Sequence, residues 1–283
     1  MDVEPSSLWR LSEGVTLTCR TPLVAGIVNV TPDSFFDGGR HPDTLSAVAH
    51  GRQLAGEGAD ILDVGGESTR PGAPEVSLEE ETARVVPVIA ALVAEHPNIP
   101  VSVDTYKAGC AVAALDAGAR IVNDVSAWAF DPALLDVLVA RKPGYVLMHS
   151  QGRPGTMQRA PQYDDVVEEI LAFFEDRLGC LVRAGLPEEH VVLDPGIGFG
   201  KRLEHNLAIL RRLDRFLSLG RPIYLGLSNK SVFGDLLGLP AAQRGEATLV
   251  ATALTLGKGA RIHRVHDVAG AKRALRLAMA LAA

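Results

Sequence analysis

Cysteine is scarce: Cys19, Cys110 and Cys180 are the three in 283 residues, and they stand far apart. An odd count without CxxC spacing fits neither a disulfide framework nor a cysteine-based metal or redox motif, so a reducing cytosol is the simplest expectation. Long apolar runs are missing too. Nowhere do about 18 uninterrupted apolar residues occur, and the opening "MDVEPSSLWRLSEG" has acidic residues and no apolar core, which argues against membrane spanning and secretion. The expected location is the cytoplasm. Basic clusters are equally absent: with 22% charged residues and a net charge of −6, no Lys/Arg stripe exists to meet nucleic acid or an anionic membrane. Any anionic ligand must be met by local charges. The chain has no HExxH and no tight Asp/His cluster with zinc spacing. No composition shift, low-complexity segment or polar linker divides it, which favours one domain.

What is present is a repeated apolar pattern. At 47% hydrophobic, a chain of this length can bury two ordinary cores or one large α/β barrel. Short β-branched runs ended by polar, Gly or Pro residues occur at 23–30, 60–66, 100–105, 120–126, 144–150, 190–196, 221–228 and 261–268. Helical spacing fills the gaps, as in the segments that begin at Thr44, Ser77 and Asp164. Apolar strands separated by helices imply parallel pairing with both faces covered. Eight such units match a closed eight-stranded parallel β/α (TIM) barrel better than an open doubly wound sheet. The predicted organisation is a hairpin or lid in residues 1–22 and one barrel domain over 23–283.

Barrel chemistry sits at the carboxyl ends of the strands. There the apolar runs close on Asn29, Asp63, Asp104, Asn123, His149, Asp194, Ser228 and the pair Arg264/His266. Asp and Asn after a strand commonly cap the next helix. Eight together weaken that reading, because a chain needing only caps could keep aliphatics inside the strands and place Ser or Thr outside.

Arg264 and His266 are two apart, so in a strand they share a face. A guanidinium beside an imidazole suits a phosphate or pyrophosphate, the alternative being an ion pair with a carboxylate such as Asp267. "LDPGIGFGK", 193–201, is neither a P-loop nor a dinucleotide fingerprint. Its glycines suit close approach of the backbone and Phe199 to a flat ligand. Asp104, Asn123 and Asp194 offer carboxylate acceptors and an amide that both donates and accepts, a set for a heterocycle rich in N–H donors such as a 2-amino-4-oxo pterin or a guanine. In "LGLSNKSVFGDLLG", Ser228 reads as an N-cap with Lys230 and Ser231 in the first turn of a helix whose start attracts anions. "GGESTRPGA", 65–73, reads as a mobile rim loop. Mg2+ held by few protein ligands plus phosphate oxygens stays possible.

Taken together, "NVTPDSFFDGG", "DVGGESTRPGA", "SVDTYKA", "IVNDVSA", "LMHSQGRPGTMQ", "LDPGIGFGK", "LSNKS" and "RVHDV" run in this order through nearly the whole chain. In that order they resemble dihydropteroate synthase, of the pterin-binding barrel family. The resemblance implies condensation of 6-hydroxymethyl-7,8-dihydropterin pyrophosphate with para-aminobenzoate, giving 7,8-dihydropteroate and pyrophosphate. It implies that Asp104, Asn123, Asp194 and Lys230 hold the pterin, flanked by Met148 and Phe199, with Asp63 and Gly226 nearby. Asn29 would ligate Mg2+, while Arg264 and His266, helped by Arg70, would hold the pyrophosphate. Thr69, Pro71, Phe35, Phe199 and Ser231 would shape the aminobenzoate site, and residues 31–39 would form a hinged lid. The resemblance also implies a homodimer through outer helices. By this likeness Asp104, Asp194, Lys230, Arg264 and His266 carry the chemistry: the pyrophosphate leaves, cationic charge spreads into the pterin and the neutral amine attacks. One departure is Asn229, where similar proteins usually have arginine. Two rivals are a catalytically silent pterin-binding paralogue, suggested by Asn229, and a corrinoid-dependent methyltetrahydrofolate methyltransferase, which should lack the lid and the "STRPG" loop.

Overall fold

Alternation within each short strand decides which side chains enter the barrel. In the first barrel strand, Leu23 and Ala25 join an inner cluster with Ile61, Ile121, Val146, Val192, Tyr224 and Ile262, while Val24 and Val28 join the layer against the helices. A period of two does this automatically on a pleated strand. The computed structural model describes residues 7–30, 42–69, 72–153, 155–158 and 160–282.

Ten strands occur among these residues. The first two, β1 (Leu8–Arg10) and β2 (Thr16–Thr18), pair antiparallel. The other eight are β3 (Leu23–Asn29), β4 (Ile61–Gly65), β5 (Val101–Asp104), β6 (Ile121–Asp124), β7 (Gly144–Met148), β8 (Val191–Asp194), β9 (Ile223–Gly226) and β10 (Ala260–Val265). They close in sequence order, all parallel, with β10 returning to β3. Each lies within one of the eight runs read from the sequence or departs from it by one residue.

Helices cover the outside: α1 (Pro42–Gly56), α2 (Leu78–Glu95), α3 (Ala108–Asp116), α4 (Leu134–Arg141), α5 (Val166–Ala184), α6 (Leu203–Arg211), α7 (Ser231–Leu237), α8 (Gly245–Leu256) and α9 (Val268–Ala282). Their boundaries have local causes. Ser77 accepts the N–H of Glu80 at 3.2 Å, and three glutamates follow at the positive end of α2. Asp165 accepts from Val167 and Glu168 to start α5, which stops at Gly185 in the left-handed region (φ 113°). Ile170, Phe174, Leu178 and Leu181 form the buried seam between those ends.

The β1–β2 hairpin seals the amino-terminal floor of the barrel. Trp9 is fully buried, and its indole N–H donates to the carbonyl of His190 at 2.8 Å. Gly144 makes room: a Cβ there would lie 2.4 Å from Leu11 Cδ2 and 3.1 Å from the Trp9 ring. No helix among the described residues is long and apolar enough to cross a membrane.

Candidate active site

One layer above the inner apolar cluster, the same strand alternation turns polar. Asp63 lies opposite Ser102 in register, Asp104 opposite Asn123, Met148 opposite Asp194, and Arg264 opposite Gly226. The inner side chains form a network: Arg264 donates from Nε to Asp63 Oδ2 at 2.5 Å and from Nη2 to Asp104 Oδ2 at 2.6 Å, and Asn123 Nδ2 donates to Asp63 Oδ2 at 3.1 Å. Asp63 is fully buried, and its Oδ1 has no hydrogen-bond partner among the described residues. Burial pushes the Asp104 carboxyl up to about 7, against the pull of the Arg264 guanidinium. Arg264 therefore takes up the carboxylate pairing raised as its alternative, though with Asp63 and Asp104 rather than Asp267. One of its two partners, Asp104, is a pterin-type acceptor.

Asp194 and Lys230 form the opposite wall. Asp194 is buried, accepts the N–H of Gly196 at 2.8 Å, and is pushed up to about 6 by burial, opposed by that bond and by Lys230. The Lys230 ammonium sits 4.1 Å from the Phe199 ring centroid and is lowered to about 8 by burial, with Asp194 opposing. Met148 and Phe199 belong to a small apolar cluster with Tyr106, Val125 and Met157. Apolar side chains next to acceptor carboxylates and a half-buried lysine are the groups a planar, donor-rich ring would need.

The glycine-rich loop after β8 is fastened by a residue that sequence reasoning passed over. Lys201 is buried, and its Nζ donates toward the carbonyls of Gly196 and Phe199 at 3.0 Å each and of His149 at 3.2 Å. The same nitrogen is 3.0 Å from His149 Nδ1. Burial lowers this lysine to about 7. Gly196 (φ 67°) cannot be larger, because a Cβ would lie 2.0 Å from the His149 carbonyl oxygen. His149 thus departs from its expected place on the rim. It comes one residue after the inward Met148, so parity turns it out, and its ring packs edge-on against Phe173 of α5 at 4.9 Å.

The loop after β4 is anchored at its base rather than free. Lys107 forms ion pairs with Glu67 and with Glu81 of α2, and Glu67 also accepts from the Tyr106 hydroxyl at 3.1 Å. Thr69, two residues on, is half-buried. Arg70, Pro71, Phe35 and the lid segment 31–39 lie outside the described residues.

Ser228 does not cap α7. The capping position is Lys230, which makes no side-chain cap bond, and Ser231 is the first helical residue. Ser228 Oγ instead lies 2.8 Å from His266 Nδ1. Asn229, next to Ser228 in the chain, is left-handed (φ 55°), a conformation asparagine tolerates, and is held by Thr248 on its N–H at 3.1 Å and Arg244 on its carbonyl at 3.2 Å. Asn29, the last residue of β3, is exposed at the mouth. No group of three or more His, Cys, Asp or Glu among the described residues is arranged to hold a metal ion.

Known proteins share this sequence pattern and this fold. The sequence family described as pterin binding enzyme matches residues 25–266. The dihydropteroate synthase of Escherichia coli K12 is 42% identical over 266 residues, 94% of each chain. A solved structure of Xanthomonas albilineans dihydropteroate synthase with 4-aminobenzoic acid superposes with a TM-score of 0.91 at 45% identity, covering 98% of this chain and 99% of that one. Another of the Xanthomonas enzyme, in complex with 7,8-dihydropteroate, gives 0.87 at 42% identity over 97% and 99%.

Proposed function

The chain belongs to the pterin-binding enzymes and, among them, to the dihydropteroate synthases, and we propose how its own residues carry out that reaction. It is a transferase of folate biosynthesis, condensing 6-hydroxymethyl-7,8-dihydropterin pyrophosphate with para-aminobenzoate. The observation that carries the residue assignment is the polar layer of Asp104, Asn123, Asp194 and Lys230, bounded by Met148 and Phe199. Asp194 and Asn123 pair with the ring's amino and imino N–H groups, and Lys230 donates to its carbonyl side. Buried acceptors left unpaired by a ring lacking those donors would reject it. Arg264 and His266 meet the diphosphate. As that group leaves, Asp104 and Asp194 stabilise positive charge spreading into the pterin, and the neutral aromatic amine attacks the exocyclic methylene, so no covalent enzyme nucleophile is required. Thr69, Phe199 and Ser231, with Pro71 and Phe35 from outside the described residues, form the aminobenzoate side.

Mg2+ is the proposed cofactor. Asn29 offers one amide oxygen at the mouth, a sparse protein share that suits a hard cation taking its other ligands from diphosphate oxygens and water. Its chemistry would be charge neutralisation on the leaving group. A homodimer is proposed through a groove of about 870 Å3 between α6, α7 and α8, beside which Leu237, Val250 and Leu254 stand exposed. Sedimentation showing a monomer at micromolar concentration would refute it. A cytoplasmic location fits the free, buried Cys19 and Cys110.

The test of the assignment is direct. Purified protein given pterin pyrophosphate, Mg2+ and aminobenzoate should release dihydropteroate, and Asp194→Ala or Lys230→Ala should lose pterin pyrophosphate binding by calorimetry. Unchanged binding in either variant would remove the assignment of these residues.

A further inference from the structure

Ser228 and His266 follow neighbouring barrel strands that are paired at Gly226 and Arg264. Two contacts join them: the backbone N–H of His266 donates to Ser228 Oγ at 3.2 Å, and that oxygen lies 2.8 Å from Nδ1 of the same histidine. A hydroxyl carries one proton and two acceptor lone pairs. Since one lone pair is taken by the backbone N–H, only two arrangements remain for a neutral imidazole. If Nδ1 carried the hydrogen, two N–H groups of one residue would converge on a single oxygen, whose own proton would need another acceptor. If Nδ1 is bare, the hydroxyl proton goes to it, and N–H, O–H and Nδ1 form a closed chain in which each bond polarises the next.

We propose that Ser228 is a positioning residue for the diphosphate: its hydroxyl donates to Nδ1 of His266, holds the neutral ring in the Nε2–H form and so keeps a donor for phosphate oxygens. This rests on the reading of His266 as a diphosphate ligand. The consequence is specific. A bare Nε2 would set a lone pair against an anion, whereas Nε2–H makes a hydrogen bond to it without requiring a protonated imidazole. The serine also ties the ends of β9 and β10 together, so the orientation of the ring is fixed along with its proton.

The experiment combines imidazole 15N spectra of the full-length protein, at a pH where the ring is neutral, with calorimetry. The wild type should show the Nε2–H pattern at His266, and Ser228→Ala should shift it toward a mixture while Ser228→Thr restores it. Affinity for inorganic pyrophosphate and for pterin pyrophosphate should fall about two- to tenfold in Ser228→Ala, and affinity for 6-hydroxymethylpterin, which lacks the diphosphate, should not change. In a His266→Ala background the serine substitution should add no further loss. An Nδ1–H pattern in the wild type, an equal loss for the ligand without diphosphate, or a loss that persists without the histidine would each overturn the proposal. If His266→Ala itself leaves pyrophosphate affinity unchanged, the anion reading of His266 falls and the proposal with it, whereas an intact tautomer shift would locate the error in that reading.

Discussion

Arg264 Nε lies 2.5 Å from Asp63 Oδ2, at a carboxylate with no exposed surface, so the floor of the pocket is built on a buried ion pair. Removing one partner of such a pair leaves the other charge desolvated and unopposed, at a cost of about 3–5 kcal/mol. Asp63→Ala should therefore destabilise the protein by that order in urea titrations. It should also weaken pterin binding, because Asn123 and Arg264 both orient on the lost oxygen. Asp63→Asn keeps an acceptor without its charge and should fall between. A wild-type midpoint for Asp63→Ala would show that the pair contributes nothing.

Pterin affinity should be bell-shaped in pH. Asp194 must be ionised to accept from the ring, and burial raises it from the ordinary 3.8 to about 6, so affinity should grow as pH rises through that value. Lys230 must be protonated to donate, and burial lowers it from 10.5 to about 8, so affinity should fade above that value. Asp194→Asn should remove the acid dependence centred near 6 and leave the alkaline limb, any acid dependence that stays near 7 belonging to Asp104. Calorimetry across pH 5 to about 9 reads both limbs. The stability signs differ. Asp194 binds its proton more tightly folded than unfolded, so it lowers stability as pH rises from about 4 to about 6. Lys230 binds its proton less tightly folded, so its contribution rises with pH from about 8 to about 10.5.

Lys201→Met removes the donor shared by the carbonyls of His149, Gly196 and Phe199. The Gly196 carbonyl keeps the N–H of Phe199 at 3.1 Å, so the loss falls on the carbonyls of His149 and Phe199, at about 1–3 kcal/mol for each buried acceptor left bare. The variant should melt earlier and bind pterin more weakly, since the lost bonds hold the loop carrying Phe199 and the N–H that orients Asp194. A second readout is independent of the cost. Lys201 is lowered from 10.5 to about 7 in the folded chain, so the wild type gains stability from it as pH rises across that interval. Lys201→Met should flatten this part of the stability–pH curve. An unchanged slope would place the titration elsewhere.

How far the site was legible depended on whether its signals were local. Asn123, Asp194 and Arg264 could be read because each ends or nearly ends a short apolar run, and the pleat fixes which face it takes. His149 sits at such an end too, but one residue past Met148, and strict alternation would have turned it outward. Lys201 looked like a failed P-loop lysine. Its purpose emerges only with its partner His149 just past the end of β7, 52 residues away. The carboxylates gripping Arg264 are 160 and 201 residues distant, so the sequence offered the guanidinium but not its pairing. Ser228 was misread because a serine ahead of a helix ordinarily caps it, and nothing local announces a histidine 38 residues on.

Lys107 makes a further distant pairing, and it bears on the second substrate. Its ammonium lies between Glu67 and Glu81, whose side chains are 9% and 1% exposed, so the lysine is what lets two carboxylates share a nearly dry site. Lys107→Met would leave them facing each other, and stability should fall by about 3–5 kcal/mol. Glu67 also accepts from the Tyr106 hydroxyl and the N–H of Val76, and so fixes both sides of the loop that carries Thr69. The KM for aminobenzoate should therefore rise more than the KM for the pterin substrate. Adding Glu81→Gln to Lys107→Met removes one uncompensated charge and should recover part of the stability while the loop stays unlatched. Recovered stability with a still-raised aminobenzoate KM would separate positioning from folding, and equal changes in both KM values would refute the latch.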